Sequence, residues 1–115
     1  MGSDSMDTIK SAREVEAVFR SGSRTAHPLV IALVQPTPQE RGPRGRVAFI
    51  AGKKLGPAVT RNRAKRVLRA SVARLGGPWP GYDVALIARE RTATAAFAEL
   101  DAALRDVLVR GGVLS

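Results

Sequence analysis

The chain has 115 residues, enough for one modest hydrophobic core and too few for two, and a net charge of +9 from 19 Lys and Arg against 10 Asp and Glu. It contains no cysteine, which removes disulfides, thiolate metal sites and thiol nucleophiles and suits a reducing compartment. Its longest apolar stretch, Pro28 to Val34, is far shorter than the roughly 20 residues that cross a bilayer, and no charged-then-apolar signal opens the chain, so a cytoplasmic protein without a membrane partner is expected.

Met1 to Ser5 reads as an added leader, because Met6 offers a second start directly before the first patterned segment; residues 6 to 115 read as one domain. Ser11 followed by Glu14 has the spacing of a capping box, and Val15, Val18 and Phe19 recur at helical spacing before Gly22. This predicts a helix over about residues 12 to 20. A short strand is an option near residues 22 to 27. Leu29 to Val34 is short, β-branched and bounded by Pro28 and Pro36, as a strand would be. Gln35 to Gly45, rich in Pro, Gly and Arg, reads as a loop. Arg46 to Ala51 alternates, with Val47, Phe49 and Ala51 on one face, and is expected to form a strand antiparallel to the first.

Gly56 and Pro57 then favour a turn and a helix start. In the helix that follows, Ala64, Val67, Leu68, Ser71, Val72 and Leu75 share one face. Asn62, Arg63, Lys65, Arg66 and Arg69 spread over the opposite half, with Arg61 near the border. Gly76, Gly77 and Pro78 end it. Tyr82 to Ala88 alternates as a strand, and Phe97, Leu100, Leu104, Val107 and Leu108 keep helical register behind Thr92 or Thr94 as a candidate cap. The order α-β-β-β-α-β-α gives a single-domain α+β sandwich, a small central sheet with helices on one face.

The charge is segregated along the chain. Residues 1 to 40 and 83 to 115 each hold four basic and five acidic residues, whereas 41 to 82 hold eleven Arg or Lys and no acid. A solvated surface normally mixes both signs, so this segment points to a polyanion, nucleic acid first. Catalytic constellations do not emerge. His27, the sole histidine, has no partner at metal-ligand or nucleophile spacing, and Glu14 and Glu16 point to different sides of a helix. Gly52-Lys53-Lys54-Leu55-Gly56 lacks the spacing of a phosphate-binding glycine loop.

What remains is Lys53-Lys54-Leu-Gly-Pro-Ala-Val-Thr-Arg61-Asn62-Arg63-Ala-Lys65-Arg66-Val-Leu-Arg69. It resembles the signature of the bacterial ribonuclease P protein family, in which a lysine pair precedes Gly-x-Ala-Val and then Arg-Asn-Arg-x-Lys-Arg-x-x-Arg. Val-Phe-x-x-Gly at Val18 to Gly22 and Tyr-Asp-Val-x-x-Ile-Ala-Arg at Tyr82 to Arg89 also resemble the family, so the likeness covers most of residues 11 to 110.

The resemblance implies an accessory subunit of an endoribonuclease whose active site is in RNA. It would bind the catalytic RNA and the 5′ leader of precursor tRNA, act as a monomer in the holoenzyme, and leave Mg²⁺ mainly to the RNA subunit. No catalytic side chain, protein-held metal or DNA partner is implied. Lys53, Lys54, Arg61, Asn62, Arg63, Lys65, Arg66 and Arg69 become the RNA-binding set; for Arg61, support of the helix start or a core-edge ion pair is the alternative. Arginine suits this role through its planar, bidentate guanidinium, and Asn62 can reach a base edge or a 2′-hydroxyl. A leader cleft is implied between the first helix and the sheet, lined by Val15, Val18, Phe19 and Ala32. Here the chain departs from the family, which commonly has aromatics at the positions of Val15 and Ala32; with five aromatics in all, stacking in the cleft would be weak. The resemblance also implies a left-handed crossover in which the arginine-rich helix joins two parallel strands. The alternative function is a ribosomal or other structural RNA-binding protein. A DNA-binding reading lacks a helix-turn-helix partner for the basic helix.

Overall fold

A computed structural model describes residues 22–37 and 45–115. The helix expected over residues 12 to 20, with Val15, Val18 and Phe19, and most of the 35–45 loop lie outside the described residues. Within them the elements are β1 (Ser23–His27), β2 (Val30–Pro36), β3 (Arg46–Ile50), a 3-10 turn (Lys53–Leu55), α1 (Ala58–Arg74), β4 (Tyr82–Ala88) and α2 (Phe97–Arg110).

The four strands form one sheet in the order β1-β2-β4-β3. β1 and β2 are an antiparallel hairpin turned at Pro28 and Leu29, with His27 opposite Val30 and Ser23 opposite Val34. The His27 ring helps make that turn, its Nδ1 accepting a 3.0 Å hydrogen bond from the Leu29 amide. β3 runs antiparallel to β2 in direction, as expected, but the two are not neighbours. β4 lies between them, antiparallel to β2 from Val30↔Ala88 to Pro36↔Tyr82 and parallel to β3 from Arg46↔Asp83 to Ile50↔Ile87. Composition explains the choice. From Val84 to Ala88, β4 is apolar on both faces and mostly buried, as a central strand must be, whereas β1 is mostly exposed and sits at an edge.

Both helices cover one face of the sheet. Leu68 and Val72 of α1 and Leu100, Leu104, Val107 and Leu108 of α2 pack on Val30, Ala32, Val34, Val47, Val84 and Leu86, and all are buried. The reverse face carries a smaller set, Leu33, Ala48 and Ala85 with Ile50 and Ile87 beside them. Ala32 therefore cannot line an open cleft. Side chains alternate along a strand, and the face assigned to Ala32 is the one closed by the helices; on the reverse face β2 presents Ile31 and Leu33.

Polar ties fix the connections. The buried Thr92 hydroxyl donates to the Leu29 carbonyl at 2.6 Å and accepts from the Arg89 amide at 2.7 Å, pinning the segment after β4 to the β1–β2 turn. It is not the cap of α2. That helix starts after Ala96, whose amide donates to the Glu99 carboxylate at 3.3 Å. At its other end Arg110 donates to the Ala26 carbonyl of β1 at 2.9 Å.

Entry to β3 depends on a close backbone approach at Gly45. A Cβ there would lie 1.9 Å from the Trp79 carbonyl oxygen and 2.4 Å from that of Tyr82. Gly45→Ala is expected to lower stability by about 1–3 kcal/mol, the usual cost of forcing atoms into a filled space. Gly52→Ala, where a Cβ meets nothing within 4 Å, is the matched control. Urea unfolding of the two variants checks this; equal midpoints would mean that the backbone at Gly45 moves freely.

Candidate nucleic-acid interface

α1 is set by its periodicity. Ala64, Leu68, Ser71 and Val72 are buried, Val67 and Leu75 half-buried, and Asn62, Arg63, Lys65 and Arg66 face solvent. Among the described residues no carboxylate pairs with Lys65 or Arg66. Pro57 precedes the helix without a side-chain cap and the first turn holds no acid, so the positive end of the helix adds to the field.

The remaining predicted residues are held more closely. Arg69 is half-buried, its guanidinium carbon 4.9 Å from the centroid of the Phe49 ring on β3. Arg63 keeps its exposed position while its Nε donates to the Ala93 carbonyl at 3.1 Å. Arg61 is half-buried, with a buried Nε that makes no hydrogen bond, and so stands apart from the solvent-facing ridge. Lys53 and Lys54 are exposed on the 3-10 turn that leads into α1.

Sequence reasoning missed Arg89. Because β3 and β4 are parallel neighbours, with Ile50 opposite Ile87, their carboxyl ends finish side by side. Lys53 and Lys54 follow one end and Arg89 the other. All three line a groove of about 610 Å³ whose apolar wall includes Ile31, Leu55 and Ile87. Glu90 is also on this groove. Arg89 looked remote because it lies outside the basic segment; only the strand order brings it in.

The sequence profile of the Ribonuclease P family matches residues 5–111. The chain belongs to the ribonuclease P protein family. It is 38% identical over 110 residues to the ribonuclease P protein component of Symbiobacterium thermophilum, covering 92% of this chain and 91% of that one. It is 39% identical over 107 residues to that of Dehalococcoides mccartyi, covering 93% and 86%. The fold matches the RNase P protein of Staphylococcus aureus with a TM-score of 0.80 at 22% identity, over 94% of this chain and 97% of that one.

In this ribonuclease P family member the ridge is anchored from behind by α2. The Ser71 hydroxyl donates to Asp101 Oδ1 at 2.6 Å, and Arg74 grips the same carboxylate through two hydrogen bonds of 2.8 Å. The Arg74 bonds hold the Asp101 carboxyl below its ordinary pKa, with Ser71 assisting and partial burial opposing; the same pairing raises the Arg74 guanidinium. A depressed carboxylate stabilises the fold at pH above its unfolded value of about 3.9, and that contribution disappears as pH falls through the lower folded value. Asp101→Asn should therefore be less stable than the parent at pH 7, and the difference should shrink as pH falls through the lowered folded-state pKa of Asp101. Thermal melts across that range test this, and a constant difference at every pH would remove Asp101 ionisation as the cause.

Proposed function

We propose that the chain serves ribonuclease P by binding its catalytic RNA through α1 and the 5′ leader of precursor tRNA through the groove at the carboxyl ends of β3 and β4. One observation carries this reading: the solvent-facing half of α1 presents Asn62, Arg63, Lys65 and Arg66 within a segment, 41 to 82, that holds eleven cations and no acid. Such a surface takes a phosphate backbone, and its arginines and asparagine can also reach bases and 2′-hydroxyls. The groove suits a single strand. Lys53, Lys54 and Arg89 would meet phosphates, and Ile31, Leu55 and Ile87 would meet base faces by apolar contact in place of aromatic stacking.

Hydrolysis is assigned to the RNA subunit and its Mg²⁺. Among the described residues no three His, Asp or Glu side chains converge as a metal site. Its contribution is binding and orientation of RNA, in the cytoplasm, as a single copy per holoenzyme. Among the described residues no helix is long and apolar enough to cross a membrane.

The decisive assay adds the protein to a bacterial ribonuclease P RNA and precursor tRNA at low Mg²⁺. Cleavage at the mature 5′ end is expected with both components and none with protein alone; a purely structural RNA-binding protein would not restore it. Arg66→Ala is expected to weaken assembly and to make the slope of log affinity against log salt shallower by about 0.7–0.9, the value of one phosphate contact. The melting temperature should barely move, since the side chain is exposed. A full slope with normal assembly would remove Arg66 from the interface.

Arg89→Ala tests the groove separately. It should weaken binding of leader-bearing precursor several-fold, in line with one lost charge-assisted contact of roughly 1.5–3 kcal/mol, and leave mature tRNA unaffected. Equal losses on both substrates would place Arg89 outside the leader path.

A further inference from the structure

Phe97 breaks the pattern of its own helix. Leu100, Leu104 and Val107, which follow it in register on α2, are fully buried, whereas Phe97 is 65% exposed. A single exposed apolar residue is ordinary, but the surroundings of this one are not. The Arg74 guanidinium carbon lies 5.3 Å from the ring centroid, and two hydrogen bonds to Asp101 hold it there. One side of the ring is thus set against a fixed cation while most of the side chain remains in water.

Position on α1 adds a second point. At 100° per residue, Arg63, Arg66, Ala70 and Arg74 fall within about 80° of the helix circumference, and at 1.5 Å per residue they span about 16 Å. That is a single line of three arginines with a small residue between them, and Phe97 stands at its end. Of the nearby carboxylates, Asp101 is charge-matched by Arg74, and Glu99 is turned to the Ala96 amide at the start of its own helix.

We propose that Phe97 is a stacking platform for an unpaired nucleobase of the RNA held by α1, extending that surface from α1 onto α2. The inference rests on the RNA-binding reading of α1 and names an additional contact of another kind. Every base has a π-face, so the site selects an unstacked nucleotide without reading its sequence. Arg74, behind the ring, reinforces it by cation–π attraction. Stacking releases no counterions, so this contact differs from the arginines in its salt signature.

The experiment titrates a bacterial ribonuclease P RNA with the full chain and with Phe97→Leu, Phe97→Trp and Arg66→Ala over a series of KCl concentrations, with melts run in parallel. Phe97→Leu, which keeps apolar bulk and loses the ring, is expected to bind about tenfold more weakly with an unchanged salt slope. Phe97→Trp should bind at least as tightly as the parent, and the emission of its exposed indole should be quenched on adding RNA, against a background from buried Trp79. If Phe97→Leu binds like the parent while Arg66→Ala flattens the slope, the platform is wrong and the α1 reading survives. If Arg66→Ala also binds with full slope, the α1 reading is lost as well. Equal weakening by Leu and Trp, or an indole unmoved by RNA, likewise overturns the platform and returns Phe97 to packing.

Discussion

β4 makes two ladders at once, antiparallel to β2 and parallel to β3, and from Val84 to Ala88 it is apolar on both faces. Val84 and Leu86 meet the helices, while Ala85 and Ile87 meet the apolar set on the reverse side. Two consequences follow from this one strand. The chain between β3 and β4 must cross the sheet, and it does so as α1, one side buried and the other turned outward. The carboxyl ends of the two parallel strands also coincide, which brings Lys53 and Lys54, after β3, and Arg89, after β4, to one groove.

α1 holds its place against its own electrostatics. Cations near a helix N-terminus oppose the macrodipole by a few tenths of a kcal/mol to about 1 kcal/mol each, and α1 has Arg61 at the end of its first turn and no acid in that turn. Selection for stability alone would place Asp or Glu there. The opposing contributions are visible further along: Leu68 and Val72 fully buried against the sheet, Arg74 in the last turn where a cation is favourable, and Asp101 reaching from α2 to bind both Ser71 and Arg74. The unfavourable end is the end that a polyanion would neutralise.

Much of this was legible in the sequence, and the boundary is a physical one. The apolar face of α1 follows from 3.6-residue periodicity, and Ala64, Leu68, Ser71 and Val72 are indeed its buried residues. β4 followed from alternation. Properties set by contacts between distant elements were not legible. Nothing in Arg46 to Ile50 tells which strand it pairs with. The resemblance implies a cleft position for Ala32, and local pattern shows only that a strand alternates, not which of its faces the helices close. Arg69 counted as a free cation until β3 brought Phe49 beneath it, and Arg89 was remote until β4 was central. Phe97 fits the heptad spacing of α2 and still lies outside the core, because helical register fixes direction and not how far the core extends. The helix expected over residues 12 to 20 lies outside the described residues.

The register of β3 against β4 also has a kinetic side. Arg46 and Asp83 are partners, so the central pairing closes only after the whole cationic stretch between them has been folded back over the sheet. Contacts so far apart in sequence make folding slow, and repulsion among the crossover's like charges raises the barrier further. β2 waits for the same strand, since its second neighbour is also β4. A chain emerging from the ribosome would therefore expose its basic segment before the strand that locks it in place exists.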